Sequence, residues 1–140
     1  MREDVILRAV ARVLVPFIAF FALYVLAHGK YSPGGGFQAG VLFAAAIILH
    51  GLVFGIAAAR RIIGHRLLMG MLSGGVLLYG AVGVATLLLG RPFLDYYALL
   101  PDPVTAQKLG ILVIEIGVTA TVAATTLMIY FYFSERRVRR

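Results

Sequence analysis

The sequence predicts an all-α integral membrane protein with four transmembrane helices and both termini in the cytoplasm. Three observations lead there. Hydrophobic residues make up 61% of the 140, and mean hydropathy is +0.96, whereas soluble domains sit near ~45–50% apolar. Several apolar runs reach the roughly 20 residues that a helix needs to cross ~30 Å of hydrocarbon. The charged residues gather in short clusters beside those runs, as topology signals do.

The length fits one domain, residues 1–140. With no cysteine, disulfides, thiolate metal sites and iron–sulfur ligation are excluded. The net charge of +7 lies beside hydrophobic spans rather than along one face, so no nucleic-acid partner is expected. No cofactor is expected. The first apolar segment is too long for a signal-peptide core and lacks a small-residue cleavage site, so no cleavable leader is expected.

The first helix is expected over about 9–27. Val5 to Ala27 carries charge only at Arg8 and Arg12. Pro16 lies near its middle and removes one backbone bond, which membrane helices tolerate when neighbours satisfy the freed carbonyl. Phe17, Phe20, Phe21 and Tyr24 are expected to face lipid or other subunits. The run His28 to Gly40 then breaks the pattern: Ser32-Pro33-Gly34-Gly35-Gly36 cannot hold a regular helix and reads as a turn outside the membrane.

The second helix is expected over about 36–59. Its pairs Gly36/Gly40 and Gly51/Gly55 have the spacing that lets helix backbones approach closely, and His50 lies a little past its middle. A basic turn, Arg60 to Arg66, leads to the third helix, about 67–89. That helix carries Gly70, Gly74, Gly75, Gly80 and Gly83, which mark it as packed against others. Arg91-Pro92 stops it. The stretch Phe93 to Asp102 reads as interfacial, with Tyr96 and Tyr97 at headgroup level. Thr105 is the expected N-cap of the fourth helix, about 106–133.

Ten of the thirteen basic residues (Arg2, Arg8, Arg12, Arg60, Arg61, Arg66, Arg136, Arg137, Arg139, Arg140) fall on the side of the termini and the second turn. Only Lys30, Arg91 and Lys108 fall on the other. The positive-inside rule therefore places both termini in the cytoplasm.

Glu115 is the one acidic residue inside a span. An ionised side chain near the bilayer centre costs at least ~2.5–3.5 kcal/mol, so it needs a partner, a water-filled cavity or a moving ion. Thr119 and Thr126 share its helical face, and Gly117 lets another helix come close. Two readings follow: a carboxylate that carries a proton or Na+ on a transport route, or a structural carboxylate paired with a basic residue of another subunit. His50 reads either as a proton relay or as a histidine bonded to a backbone carbonyl. It falls on the opposite side of the midplane from Glu115, so two stations on one route are conceivable and a direct pair is not expected. His28 and Lys30 read as solvated loop residues. The Gly34-Gly35-Gly36 run has the composition of an anion-binding nest at a helix N-terminus, without the Lys-Ser or Lys-Thr pair of a P-loop. No nucleophile stands at a sensible spacing from a base, so no enzyme is expected.

Pro16, the run His28 to Gly40 and Glu115-Ile116-Gly117-Val118 together resemble the B subunit of the multisubunit Mrp (Mnh) Na+/H+ antiporters. Ser32-Pro33-Gly34-Gly35-Gly36-Phe37-Gln38-Ala39-Gly40 looks like that family's Ser/Thr-Pro-Gly-Gly-Gly-Phe signature, with Ala39 where members more often have Gly. The resemblance covers essentially the whole chain. It implies a subunit of a hetero-oligomeric complex in a prokaryotic plasma membrane, related to the membrane arm of respiratory complex I. Such complexes couple inward H+ flow to Na+ export, and the partners would be the other antiporter subunits. Glu115 maps onto the family's acidic position in the last helix. Similar subunits occur in membrane-bound hydrogenase and sulfur-reducing assemblies, and that setting stays open, as does a purely structural role. A small multidrug exporter also has four helices and one membrane glutamate. It places the acid in its first helix, whereas here the acid is in the fourth and tryptophan is absent. Abundant glycine faces and an acid with no evident basic partner in the chain suggest that other chains complete the site, so the isolated protein is expected to transport nothing.

Overall fold

A computed structural model describes residues 2–29, 35–99 and 101–138. They form α1 (Arg2–His28), α2 (Gly36–Phe54), α3 (Ile56–Ile62), α4 (His65–Leu88) and α5 (Pro103–Val138), with a 3-10 turn at Tyr96–Ala98. Four helical stretches are long and apolar enough to cross a membrane: Val5–His28, Gly36–Phe54, His65–Leu88 and Pro103–Glu135. The all-helical, four-span architecture is the one the sequence predicts.

The second span differs from expectation. It ends at Phe54, because Gly55 adopts φ 98°, a conformation open to glycine at little cost. The chain turns there into α3, and Ala59 comes back against α2: a methyl at Gly51 would lie 3.2 Å from the Ala59 Cβ. Gly51 and Gly55 are therefore not a packing pair. Gly51 admits α3 and the Tyr130 ring, whereas Gly55 has no neighbour within 4 Å and serves as the hinge.

α5 is the axis of the bundle, contacting α2 along one side and α4 along another, while α1 packs mainly on α2. α2 runs parallel to α5 with a stripe of small residues toward it: Gly36 meets Glu115, Gly40 meets Thr119 and Val122, and Gly51 meets Tyr130. α4 runs antiparallel, with Gly75 against Gly117 and Thr121. The core is a cluster of Ala44, Ile47, Ala59, Ile63, Leu68, Ala124, Leu127 and Phe131. It lies toward the end of the bundle that carries Arg60, which pairs with Glu135 and stacks 5.0 Å over the Phe131 ring. We call this the basic end. Phe17, Phe20, Phe21 and Tyr24 of α1 are exposed, and α1 continues unbroken through Pro16.

At the opposite end the connection from α4 to α5 is tied down by Thr86. This fully buried hydroxyl donates to the Gly83 carbonyl (2.8 Å) and accepts from the Leu94 amide (2.9 Å). Gly90, at φ 73°, closes α4, with the Arg91 amide reaching back to the Thr86 carbonyl at 3.1 Å in the manner of a left-handed C-cap. The Phe93 ring fills the space above Gly83, and Tyr96 fills that above Gly110. The cap of α5 is Asp102 rather than Thr105. Its carboxylate accepts from both the Thr105 amide (3.0 Å) and the Thr105 hydroxyl, with Pro103 at the first helical position, which needs no N–H partner.

Gly75→Ala would drive a methyl into Thr121 and the Gly117 carbonyl, both on α5. Thermal unfolding in detergent should show a loss of about 1–3 kcal/mol, the usual cost of overpacking. Its neighbour Gly74 has nothing within 4 Å, so Gly74→Ala should be neutral or slightly stabilising, since Ala is the better helix former. The hydrogen bonds from the Thr105 hydroxyl and amide hold the Asp102 carboxyl below its ordinary range. Its folded-state value thus lies under the unfolded one of ~3.9. The cap's contribution is complete above that unfolded value and is lost as pH falls through the folded one. Amide exchange in the first turn of α5 should accelerate over that acid window in the native chain, and Asp102→Ala should show fast exchange already at neutral pH.

Candidate functional site

The site forms where the hairpin of α1 and α2 meets α5. α1 ends at His28, whose ring stacks on Tyr24 at 4.1 Å and lies 3.3 Å from the Tyr24 carbonyl. α2 begins after Gly35, its N-cap, at φ 96°, a conformation that a side-chain-bearing residue adopts only under strain. Between these two helix ends sits the carboxylate of Glu115. A methyl at Gly29 would come within 2.9 Å of Oε1, and one at Gly35 within 3.1 Å. One at Gly36 would overlap the Glu115 carbonyl itself. Glycine is required at all three positions by close approach, and at Gly35 by backbone angle as well.

The electrostatics follow from α2. It has no side-chain cap and no acid in its first turn, so its N-terminal N–H groups lack the partner that a helix normally supplies locally. Glu115 brings a negative group to that positive end from a different helix, the arrangement that favours anions at helix N-termini. Thr119, one turn along α5, joins the two elements. Its hydroxyl lies 2.7 Å from the Glu115 carbonyl and 3.0 Å from the Gly36 carbonyl, sharing one proton between them. Glu115 is half-buried, and its Oε2 is buried with no hydrogen-bond partner among the described residues. An unpaired buried acceptor forfeits its hydration, which makes this oxygen the costly atom of the site.

Gly29, Gly35 and Gly36 lie level with Glu115, twelve residues into α5, and at the helical rise α5 continues ~18 Å beyond that level toward Pro103. The apolar stretches of α1 and α2 end and begin at this same level, at His28 and Gly36. Lys30 and the Tyr31-Ser32-Pro33-Gly34 part of the turn lie outside the described residues.

Of the residues singled out in the sequence, the structure brings Glu115 and Thr119 together and leaves His50 apart. His50 lies on α2, fourteen residues past Gly36, ~21 Å along the helix, with its ring 4.7 Å from that of Phe54. Thr126 is seven residues beyond Thr119, ~10 Å further along α5. On one side the acid lies against this chain's own backbone at Gly29, Gly35 and Gly36, and no basic side chain pairs with it among the described residues. Gly29, Gly35 and Gly36 are the site residues that sequence reasoning missed as such. Their signal was the glycine content of the run itself, which permits the close approach of Gly35 and Gly36 to Glu115. No group of three His, Asp or Glu side chains gathers as a metal site among the described residues. The arrangement presents one carboxylate beside a helix N-terminus, with one buried oxygen that no described residue hydrogen-bonds.

Comparison with known proteins gives concordant matches. The family described as "Domain related to MnhB subunit of Na+/H+ antiporter" matches residues 6–128. Proteins described as antiporter subunit mnhB2 from Staphylococcus aureus strains Newman, JH1 and Mu3 are 34% identical over 135 residues, covering 87% of this chain and 94% of theirs.

Gly36→Ala should separate the start of α2 from α5. We expect a lowered melting temperature and faster amide exchange over residues 36–40, whereas Gly64→Ala, at a position with nothing within 4 Å, should leave both unchanged.

Proposed function

This chain belongs to the MnhB-related family of Na+/H+ antiporter subunits, and we propose that within a multisubunit complex its Glu115 takes part directly in cation and proton passage. The complex would sit in the plasma membrane of a prokaryote, with the basic end of this chain in the cytoplasm, the orientation that the distribution of Arg and Lys favours. The other antiporter subunits would be its partners, Na+ and H+ the transported ions.

One observation carries this reading. The Oε2 of Glu115 is buried with no hydrogen-bond partner among the described residues, within the long apolar stretch of α5, whereas a static structural carboxylate is expected to have both oxygens satisfied. Thr119 is the positioning residue in this reading, since its hydroxyl links the main-chain carbonyls of Glu115 and Gly36 and so holds α5 against the start of α2. His50 stands outside this unit. A second reading, Glu115 as a purely structural lock for the hairpin, draws support from the fit of its other oxygen against Gly29 and Gly35.

Glu115→Gln separates the two. It keeps the shape and removes the charge change. In the whole complex, Na+/H+ exchange should fall by about tenfold or more, as expected when an intramembrane ionisable group on an ion path is lost, with all subunits still co-purifying. Near-normal exchange in an intact complex would establish the structural role instead.

A further inference from the structure

The basic end holds a second constellation, separate from Glu115. A cleft of about 410 Å³ opens between α1 and the corner where α2 turns into α3, lined by Arg12, Val15, Pro16, His50, Phe54 and Ala58. The Arg12 guanidinium stands 6.0 Å from the centre of the Phe54 ring, and the His50 ring lies 4.7 Å from that same ring. Arg12 and His50 thus both stand beside the Phe54 ring in one cleft, while Val15, Pro16 and Ala58 make the rest of the trough apolar.

Charge says what such a trough is built for. Arg60, on the neighbouring α3, is neutralised by Glu135. Among the described residues no carboxylate pairs with Arg12. A guanidinium set in a span with no counter-ion among the described residues calls for an anion from outside. The cleft lies at the last turn of α2, beside the hinge at Gly55 and one helix away from Arg60 and Arg61, where the apolar span gives way to the basic turn. An occupant must therefore present a negative group at headgroup level and hydrocarbon just below it. The volume lies within the range of small-molecule sites.

We propose that this cleft binds an anionic phospholipid, with the phosphate on Arg12 and His50 and the upper acyl chain along Val15, Pro16 and Ala58. Cationic pockets between helices near the membrane surface recognise anionic headgroups in this manner. Arg12 supplies the charge and a planar pair of donors that matches phosphate, and the apolar trough selects a lipid over free phosphate. The site does not depend on the role assigned to Glu115.

The test uses the assembled complex, purified in detergent, stripped of lipid and titrated with phosphatidylglycerol or phosphatidylcholine of matched chains, with bound lipid counted by native mass spectrometry on this subunit. The native chain should retain phosphatidylglycerol in preference to phosphatidylcholine. Arg12→Gln should reduce phosphatidylglycerol retention about fivefold, the contribution of one cation at an anionic lipid surface, and leave phosphatidylcholine unchanged. Arg12→Lys should keep most of the preference. Arg61→Gln, exposed and off the cleft, should keep all of it. Ala58→Phe, which fills the trough without touching charge, should also lower retention and guards against misfolding of the Arg12 variant. An unchanged lipid ratio in Arg12→Gln overturns the proposal. So does full displacement of phosphatidylglycerol by inorganic phosphate, which would make this a phosphate site. Loss of a partner subunit from Arg12→Gln, with the lipid ratio unaltered, would assign the cleft to a protein carboxylate and overturn it as well.

Discussion

A carboxylate from α5 meets the positive end of α2 where glycines leave no side chain between them, and most of this fold is arranged to permit that meeting. The N-terminus of α2 has neither a capping side chain nor an acid in its first turn. An ionised Glu115 in an apolar stretch is costly without a compensating partner, and the positive end of a helix lowers that cost. For the approach to occur, Gly29, Gly35 and Gly36 must lack Cβ atoms, the ends of α1 and α2 must lie level with Glu115, and Thr119 links the Glu115 and Gly36 carbonyls. One buried oxygen has no hydrogen-bond partner among the described residues, and the proposed role in ion passage rests on that surplus.

Glycine does three different jobs along the chain. At Gly40 and Gly75 it brings helix backbones together, the membrane equivalent of a packed core. At Gly35, Gly55 and Gly90 it supplies positive φ, capping one helix, hinging another and closing a third. At Gly70, Gly74 and Gly80 nothing lies within 4 Å, so these positions face outward from this chain, where a partner subunit's helices would find close-approach surfaces. The same residue type therefore marks the interior, the turns and the exposed faces, and composition alone does not separate them.

That ambiguity explains what the sequence did and did not reveal. The four spans were legible because hydrophobic run length is a direct reading of bilayer thickness. Glu115 stood out because an acid in such a run is expensive. Its surroundings were not, since the contact joins residues some eighty positions apart through atoms that glycine lacks. The Gly51/Gly55 spacing suggested a packing face, but Gly55 is a hinge, because spacing carries no information about φ. Thr105 looked like a cap and Asp102 took the role, as both residue types cap well and Pro103 set the boundary between them. Thr86, buried and doubly bonded, gave no signal at all among its apolar neighbours.

The most direct measurement is a solid-state NMR distance between the Glu115 side-chain carboxyl carbon and the glycine α carbons in the lipid-reconstituted complex. Only Glu3, Glu115 and Glu135 would carry the glutamate label, and Glu115→Gln assigns the signal. The account predicts through-space correlations from Glu115 to the glycines at the hairpin tip, as expected with its carboxyl carbon 3.7 Å from where a Gly35 Cβ would stand. A Glu115 carboxyl that correlates only with lipid chains or with another subunit, and with no glycine of this hairpin, would contradict it.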